Sequence, residues 1–314
     1  MQGNKRCDDA GFGIKTGLLC QNPEIRGEVM IKDKPTIALI YDFDGTLSPG
    51  NMQEFGFIQA IGKTPAEFWE ASNKAPGGQE VSGILAYMKL MIDEAKKNNI
   101  DLTRESFVSF GKHIPLFDGV MEWFSLINRY GEEHGVEIEH YINSSGQTEL
   151  IEGTPIAGEF KKIFACSFWY GEDNRAVWPA VAVDYTGKTQ FLFKISKGIM
   201  DIADNVQVNA SLEDDSKPIP FSHMIYFGDG ETDVPCMKIV KMFGGNSIAV
   251  FNPERADKEE QARKLLKQDR VNFACKADYR EEGEIYNVVT TIIGKIRAEY
   301  DFFRLQRSNR KSRI

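Results

Sequence analysis

No apolar run in the 314 residues approaches the roughly 18–20 needed to cross a bilayer. Lys5 and Arg6 are not followed by an apolar segment, so a secretory leader is not expected either. Cysteine is sparse, odd in number and scattered (Cys7, Cys20, Cys166, Cys236, Cys275), never spaced Cys-x-x-Cys. That excludes a disulfide framework and a cysteine zinc site, and fits reduced thiols in a cytoplasmic protein. The four histidines, His113, His134, His140 and His223, have no metal-ligand spacing and read as structural or surface groups. Positive charge is in deficit, with a net charge of −8 and a pI near 5.3, which argues against nucleic acid or an anionic membrane as the main partner. Oligomeric state is not legible.

What is present is a 42% hydrophobic, 27% charged composition, enough to bury a sizeable core. The organising stretch is residues 36–47. Ile37 to Tyr41 is a short run of β-formers, apolar on both faces as a strand inside a parallel sheet would be. It ends in Asp42, Asp44 and Gly45, and the two acids share one face of an extended chain. Asp-x-Asp-Gly also makes an ordinary turn, so this run alone leaves turn and active site open. In open α/β sheets, however, ligands sit at the carboxyl ends of strands.

Residues 1–34 read as an extension before the fold, with Met30 as an alternative start. Residues 51–115 read as helical: Thr64-Pro65-Ala66-Glu67 is a capping box, Ile84, Met88, Met91 and Ala95 recur at helical spacing, and a further helix fits Arg104–Lys112. So long a helical stretch exceeds a simple crossover and reads as an inserted cap beside the acids. Its aromatics Phe55, Phe57, Phe68, Trp69 and Tyr87 read as packing groups first. A second strand, Val136–Asn143, ends in Ser144-Ser145-Gly146, small donors suited to an anion. Residues 163–195 look β-rich, with Thr186-Gly187-Lys188 turning into a strand Phe191–Ile195, and Lys197-Gly198 opening the next helix. A third strand, His223–Phe227, leads into Asp229 and Asp233. Asp257-Lys-Glu-Glu260 reads as another capping box, and Arg304 to Arg313 as a frayed basic tail.

Three strand ends thus supply Asp42/Asp44, Ser144-Ser145-Gly146 and Asp229/Asp233, with Lys197 as a cation. Carboxylates that converge repel by about 4 kcal/mol per contact at ~4 Å and an effective dielectric near 20. A divalent ion held by oxygen, Mg²⁺ above all, offsets that repulsion.

Asp42-Phe-Asp44-Gly-Thr-Leu resembles motif I of the haloacid dehalogenase superfamily. Ser144 is similar to motif II, Lys197-Gly198 to motif III, and Gly228-Asp229-Gly-Glu-Thr-Asp233 to motif IV, closest in pattern to the phosphoserine-phosphatase-like branch. The resemblance spans about residues 35–300. It implies a Rossmann-like parallel-sheet α/β core (35–50 and 116–305), a helical cap (51–115) and a basic tail (306–314). It further implies Mg²⁺-dependent hydrolysis of a small phosphorylated metabolite, with Asp42 as nucleophile and Asp44 as acid/base. Ser144, Ser145, Gly146 and Lys197 would hold phosphate, and Asp42, Asp44, Asp229 and Asp233 the metal. Ser145 competes with Ser144, and Lys194 with Lys197, which alone is followed by glycine. A phosphotransferase or mutase, or a non-catalytic binding protein on the same fold, are the alternatives. Glu54 lies further from Asp42 than a phosphoserine phosphatase pattern wants, and the cap has no arginine before Arg104, so that specificity is not carried over.

Overall fold

The computed structural model describes residues 33–74, 80–213 and 216–311. The expected extension at 1–34 lies outside these except for its last two residues. Asp42 stands at the end of β1 (Thr36–Tyr41), a strand whose six residues are all buried. Between β1 and the next strand come helices α1 (Phe57–Ala60), α2 (Pro65–Asn73), α3 (Gly83–Lys97), α4 (Arg104–Gly111) and α5 (Val120–Glu133). The capping box forms as the sequence indicates. Thr64 accepts from the Glu67 N–H and Glu67 from the Thr64 N–H, with Pro65 in the first turn.

β2 (Glu137–Gln147), the short α6 (Thr148–Glu152), β3 (Lys162–Tyr170) and β4 (Ala176–Val181) follow. The chain then forms α7 (Thr189–Ser196) and α8 (Val206–Asn209), and alternates through β5 (Met224–Gly228), α9 (Val234–Met242), β6 (Asn246–Phe251), α10 (Ala256–Lys267), β7 (Phe273–Lys276) and α11 (Glu284–Lys311). One seven-stranded sheet results, in the order β4-β3-β2-β1-β5-β6-β7. All pairings are parallel except β3 with β4. The sheet is therefore of the doubly wound α/β kind, with an antiparallel edge. Among the described residues, no helix is long and apolar enough to cross a membrane.

Four local expectations change. Residues 191–195 are helical, because Phe191, Leu192 and Ile195 share the buried face of α7. Lys197-Gly198 ends that helix instead of opening one: Gly198 has φ +71°, a left-handed position that suits glycine after a helix C-terminus. The second capping box does not form, since Asp257 takes both Arg255 nitrogens as partners and helix α10 begins without a side-chain cap. At the other end, the tail that reads as frayed from Arg304 stays helical in α11 as far as Lys311.

The helical stretch 51–115 does not stand apart from the sheet. Phe57 stacks on Phe107, and Phe107 stacks on Phe168 of β3 at 5.1 Å, so one apolar core runs through both. Behind β1, a buried polar chain ties three elements together. Trp123 Nε1 of α5 donates to the Tyr41 hydroxyl (2.8 Å), which meets His140 Nδ1 of β2 (3.0 Å), and His140 Nε2 meets Asn128 Oδ1 (2.9 Å). Every partner is satisfied if the Tyr41 hydroxyl donates to Nδ1 and a neutral His140 carries its proton on Nε2.

Burial pushes the His140 imidazole down to about 3. Its folded pKa is below the unfolded value near 6.5, so the unfolded chain binds the proton more readily. Its contribution to stability is full above about pH 6.5 and is lost as pH falls toward 3. Urea unfolding at pH 7 and pH 5 should show the parent losing about 2 kcal/mol more than His140→Gln across that interval. Equal losses would mean that the imidazole is not held neutral.

Candidate active site

Strands β2, β1 and β5 are neighbours, so their carboxyl ends open on one spot. Asp42 continues the ladder one residue past β1, its N–H donating to the Phe227 carbonyl of β5 (2.9 Å). Asp229 follows β5 directly, and Asp233 closes the turn that leads into α9. One oxygen from each of Asp42, Asp229 and Asp233 lies within 4.8 Å of the others. Gly45 makes this approach possible. Its φ of +75° disfavours any side chain, and a Cβ there would overlap the Asp229 carboxylate.

The cation among these acids is Lys188. Its side chain is fully buried, with Nζ 2.7 Å from Asp233 Oδ1 and 3.1 Å from Asp42 Oδ1. Tyr226 adds a hydroxyl donor to the same Asp233 oxygen (2.8 Å), which leaves Asp233 Oδ2 buried without a partner. Asn143 of β2 donates to the Lys188 carbonyl (3.1 Å) and fixes the backbone from which the lysine reaches. Lys258 of α10 pairs with Asp229 Oδ2 at 2.8 Å.

Lys197 is elsewhere. Its Nζ donates to the carbonyls of Val208 and Ala210, both at 2.6 Å, and it holds a loop together. Lys194 likewise serves the carbonyls of Asp201 and Asp204. Lys197, expected at the site, is therefore not brought to the acids; Lys188, which immediately precedes α7, is. Reading 191–195 as a strand hid this. The last-turn lysine and glycine at 197–198 mark a helix end, and would have put Lys188 at the helix start.

The remaining expected residues do come together. Asp42, Asp44, Ser144, Ser145, Gly146 and Asp229 line one cavity of about 550 Å³. Asp44 is half-buried, and its Oδ1 accepts the Met52 N–H (2.9 Å). Its carboxylate is not in the three-acid group. Ser144 Oγ accepts from the Gly146 N–H (3.0 Å) and keeps its proton to donate, while Ser145 Oγ is buried with no partner. Both hydroxyls thus keep an unused proton, on residues that line the cavity. Missed by sequence reasoning, besides Lys188, are Arg255 and Lys258 on the core side of the cavity.

Electrostatics separate the acids. Burial first, then the charge of Asp233, pushes Asp42 up to about 7, against the pull of Lys188. Burial and the neighbouring Asp42 charge hold Asp44 well above the usual carboxylate range. Asp229 is raised by burial, although Lys258 opposes the shift. Burial alone would lower the Lys188 ammonium, but Asp233 and Asp42 overcome it and hold the group above the ordinary lysine range.

A family model described as haloacid dehalogenase-like hydrolase matches residues 39–238. The chain belongs to this family. Among curated proteins, an uncharacterized protein from Borreliella burgdorferi is 27% identical over 278 residues, covering 80% of this chain and 94% of its own. Among solved structures, a probable phosphoserine phosphatase from Vibrio cholerae superposes with a TM-score of 0.51 at 15% identity, over 84% of this chain and 67% of that one. A substrate-bound phosphoserine phosphatase complex gives 0.48 at 18% identity, over 75% and 99%. At 15% identity the likeness to the Vibrio cholerae structure is one of fold.

The acids fit the divalent ion that this family's chemistry calls for. When ionised, Asp42, Asp44, Asp229 and Asp233 face, among the described residues, only Lys188 and Lys258 as partnered cations, so two negative charges are left over. The unpartnered Asp233 Oδ2 and the all-oxygen donor set suit Mg²⁺.

The two lysines should behave differently on substitution. In urea unfolding at pH 7, Lys188→Met should cost about 3–5 kcal/mol, because it strands two buried acids. Lys197→Met should cost about 1–2 kcal/mol for the lost charged hydrogen bonds. Equal costs would contradict the placement of Lys188.

Proposed function

We propose that the protein is a Mg²⁺-dependent phosphatase that hydrolyses a small phosphomonoester through an aspartyl-phosphate on Asp42. The observation that carries this reading is the meeting of Asp42, Asp229 and Asp233 around Lys188, with Asp44 two residues beyond Asp42 in the same cavity. Family membership is consistent with it.

Asp42 has its two contacts, the Phe43 N–H (2.8 Å) and Lys188, on Oδ1. Oδ2 is then the oxygen to attack phosphorus. That attack splits one difficult displacement into two easier ones. Asp44, whose carboxyl is held well above the usual carboxylate range by burial and by the Asp42 charge, gives its proton to the departing alkoxide. As a carboxylate it then takes a proton from the water that cleaves the aspartyl-phosphate. The Met52 N–H holds Asp44 in place for both transfers. The hydroxyls of Ser144 and Ser145 donate to phosphoryl oxygens, and Lys188 offsets the negative charge that develops beside Asp42. Bound Mg²⁺, held by Asp42, Asp229, Asp233 and the Asp44 main-chain carbonyl, would supply charge neutralisation and phosphate orientation. Asp44 in the second acidic position supports hydrolysis or phosphotransfer over dehalogenation.

With p-nitrophenyl phosphate, nitrophenol release should require Mg²⁺, vanish with EDTA and return on adding Mg²⁺. Asp42→Asn should reduce it to background. Nitrophenolate leaves without a proton, so Asp44→Asn should release about one equivalent in a burst and then turn over about 10²–10⁴-fold more slowly. Parent-like steady turnover in Asp44→Asn would remove Asp44 from the mechanism.

A further inference from the structure

The cavity has a second end, formed by the helical stretch. Asn51, Gln53, Glu54, Trp69, Ile84 and Tyr87 line it, and none is basic. Trp69 and Tyr87 form an aromatic corner, with ring centroids 5.9 Å apart and planes at 73°. Each ring is held by its polar tip. Trp69 Nε1 donates to Glu54 Oε1 (2.7 Å), and the buried Tyr87 hydroxyl donates to the Ser145 carbonyl (2.6 Å), next to the phosphate donors. Asn51 Nδ2 donates to the same Glu54 oxygen (2.7 Å). Glu54 is thereby fixed by two neutral donors, and among the described residues no lysine or arginine lies within salt-bridge range of it. The basic residues that do line the cavity are engaged on the core side, Lys258 with Asp229 and Arg255 with Asp257.

We infer that the leaving group of the substrate is a small alkylammonium alcohol, its cation seated in the Trp69–Tyr87 corner against Glu54. This deepens the phosphatase reading and rests on it. An aromatic face attracts a cation through the ring quadrupole, and the attraction is greatest where water is excluded. A carboxylate without a cationic partner beside that face adds charge complementarity. A wholly apolar leaving group would leave the Glu54 charge desolvated with nothing to offset it. A leaving group with its own carboxylate would meet Glu54 with like charge, and would find no arginine in the helical wall. The tie from Tyr87 to Ser145 puts the corner close to the phosphate end, which suits a short linker between phosphate and ammonium.

The test compares kcat/KM, at saturating Mg²⁺, for O-phosphocholine, O-phosphoethanolamine, glycerol 3-phosphate, O-phosphoserine and p-nitrophenyl phosphate. An ammonium ester, quaternary or primary, should exceed glycerol 3-phosphate and phosphoserine by about tenfold or more, through its attraction to the aromatic faces. Glu54→Gln keeps the acceptor for Trp69 and removes only the charge. It and Trp69→Leu should each reduce the ammonium-to-glycerol ratio several-fold, mainly through KM for the ammonium ester. The ratio is internal to each variant, so partial loss of folded protein does not mimic the effect. Hydrolysis of p-nitrophenyl phosphate without an ammonium preference, or a ratio unchanged in Glu54→Gln, overturns this inference alone. No turnover of any ester overturns the phosphatase reading, and this inference with it.

Discussion

Lys188 sits fully buried between two carboxylates that arrive from different strands, and the site depends on that contact. Removing three charges from water is costly, and attraction offsets the cost only with close, well-directed contacts. Those conditions are met here. Asn143 holds the backbone of Lys188, Tyr226 shares the Asp233 oxygen, and Phe43 shares the Asp42 oxygen. The lysine can offset only part of the acidity, so the cluster keeps a negative excess that a divalent ion would neutralise. Fold and chemistry meet in this one contact: the sheet order makes β1 and β5 neighbours, and the lysine offsets the repulsion between the acids that follow them.

The helical stretch adds a different kind of constraint. It shares one apolar core with the sheet through Phe57, Phe107 and Phe168, and so presents Trp69, Tyr87 and Glu54 from a packed base. Hydrogen bonds of Tyr87 to Ser145 and of Met52 to Asp44 link this wall to the reacting groups. Under the proposed reading, one end of the cavity handles phosphate with donors and cations. The other handles the leaving group with aromatic faces and one carboxylate.

Much of this was legible in the residues. The both-face apolarity of Ile37–Tyr41 marked a central strand, Thr64 and Glu67 marked a helix start, and the acids after β1 and β5 marked the strand ends. Lys188 is not, because a five-residue stretch such as Phe191–Ile195, apolar except for Lys194, fits a strand as readily as a helix. Gly198 is the signal that favours the helix. The partnership of Asp257 with Arg255 was hidden for another reason: a capping box and a local ion pair look alike in sequence, and only geometry separates them. Trp69 and Tyr87 read as ordinary packing residues, since nothing in a sequence says which aromatic ring borders a cavity.

The most direct test of the central contact is a double-mutant cycle in unfolding free energy at pH 7, combining Lys188→Met with Asp233→Asn. If the buried lysine is what makes the Asp233 charge tolerable, removing that charge relieves part of the damage done by losing the lysine. The double variant should then be more stable than the sum of the single losses by about 1–3 kcal/mol. Strict additivity would show that Lys188 and Asp233 do not depend on each other, and would contradict the account.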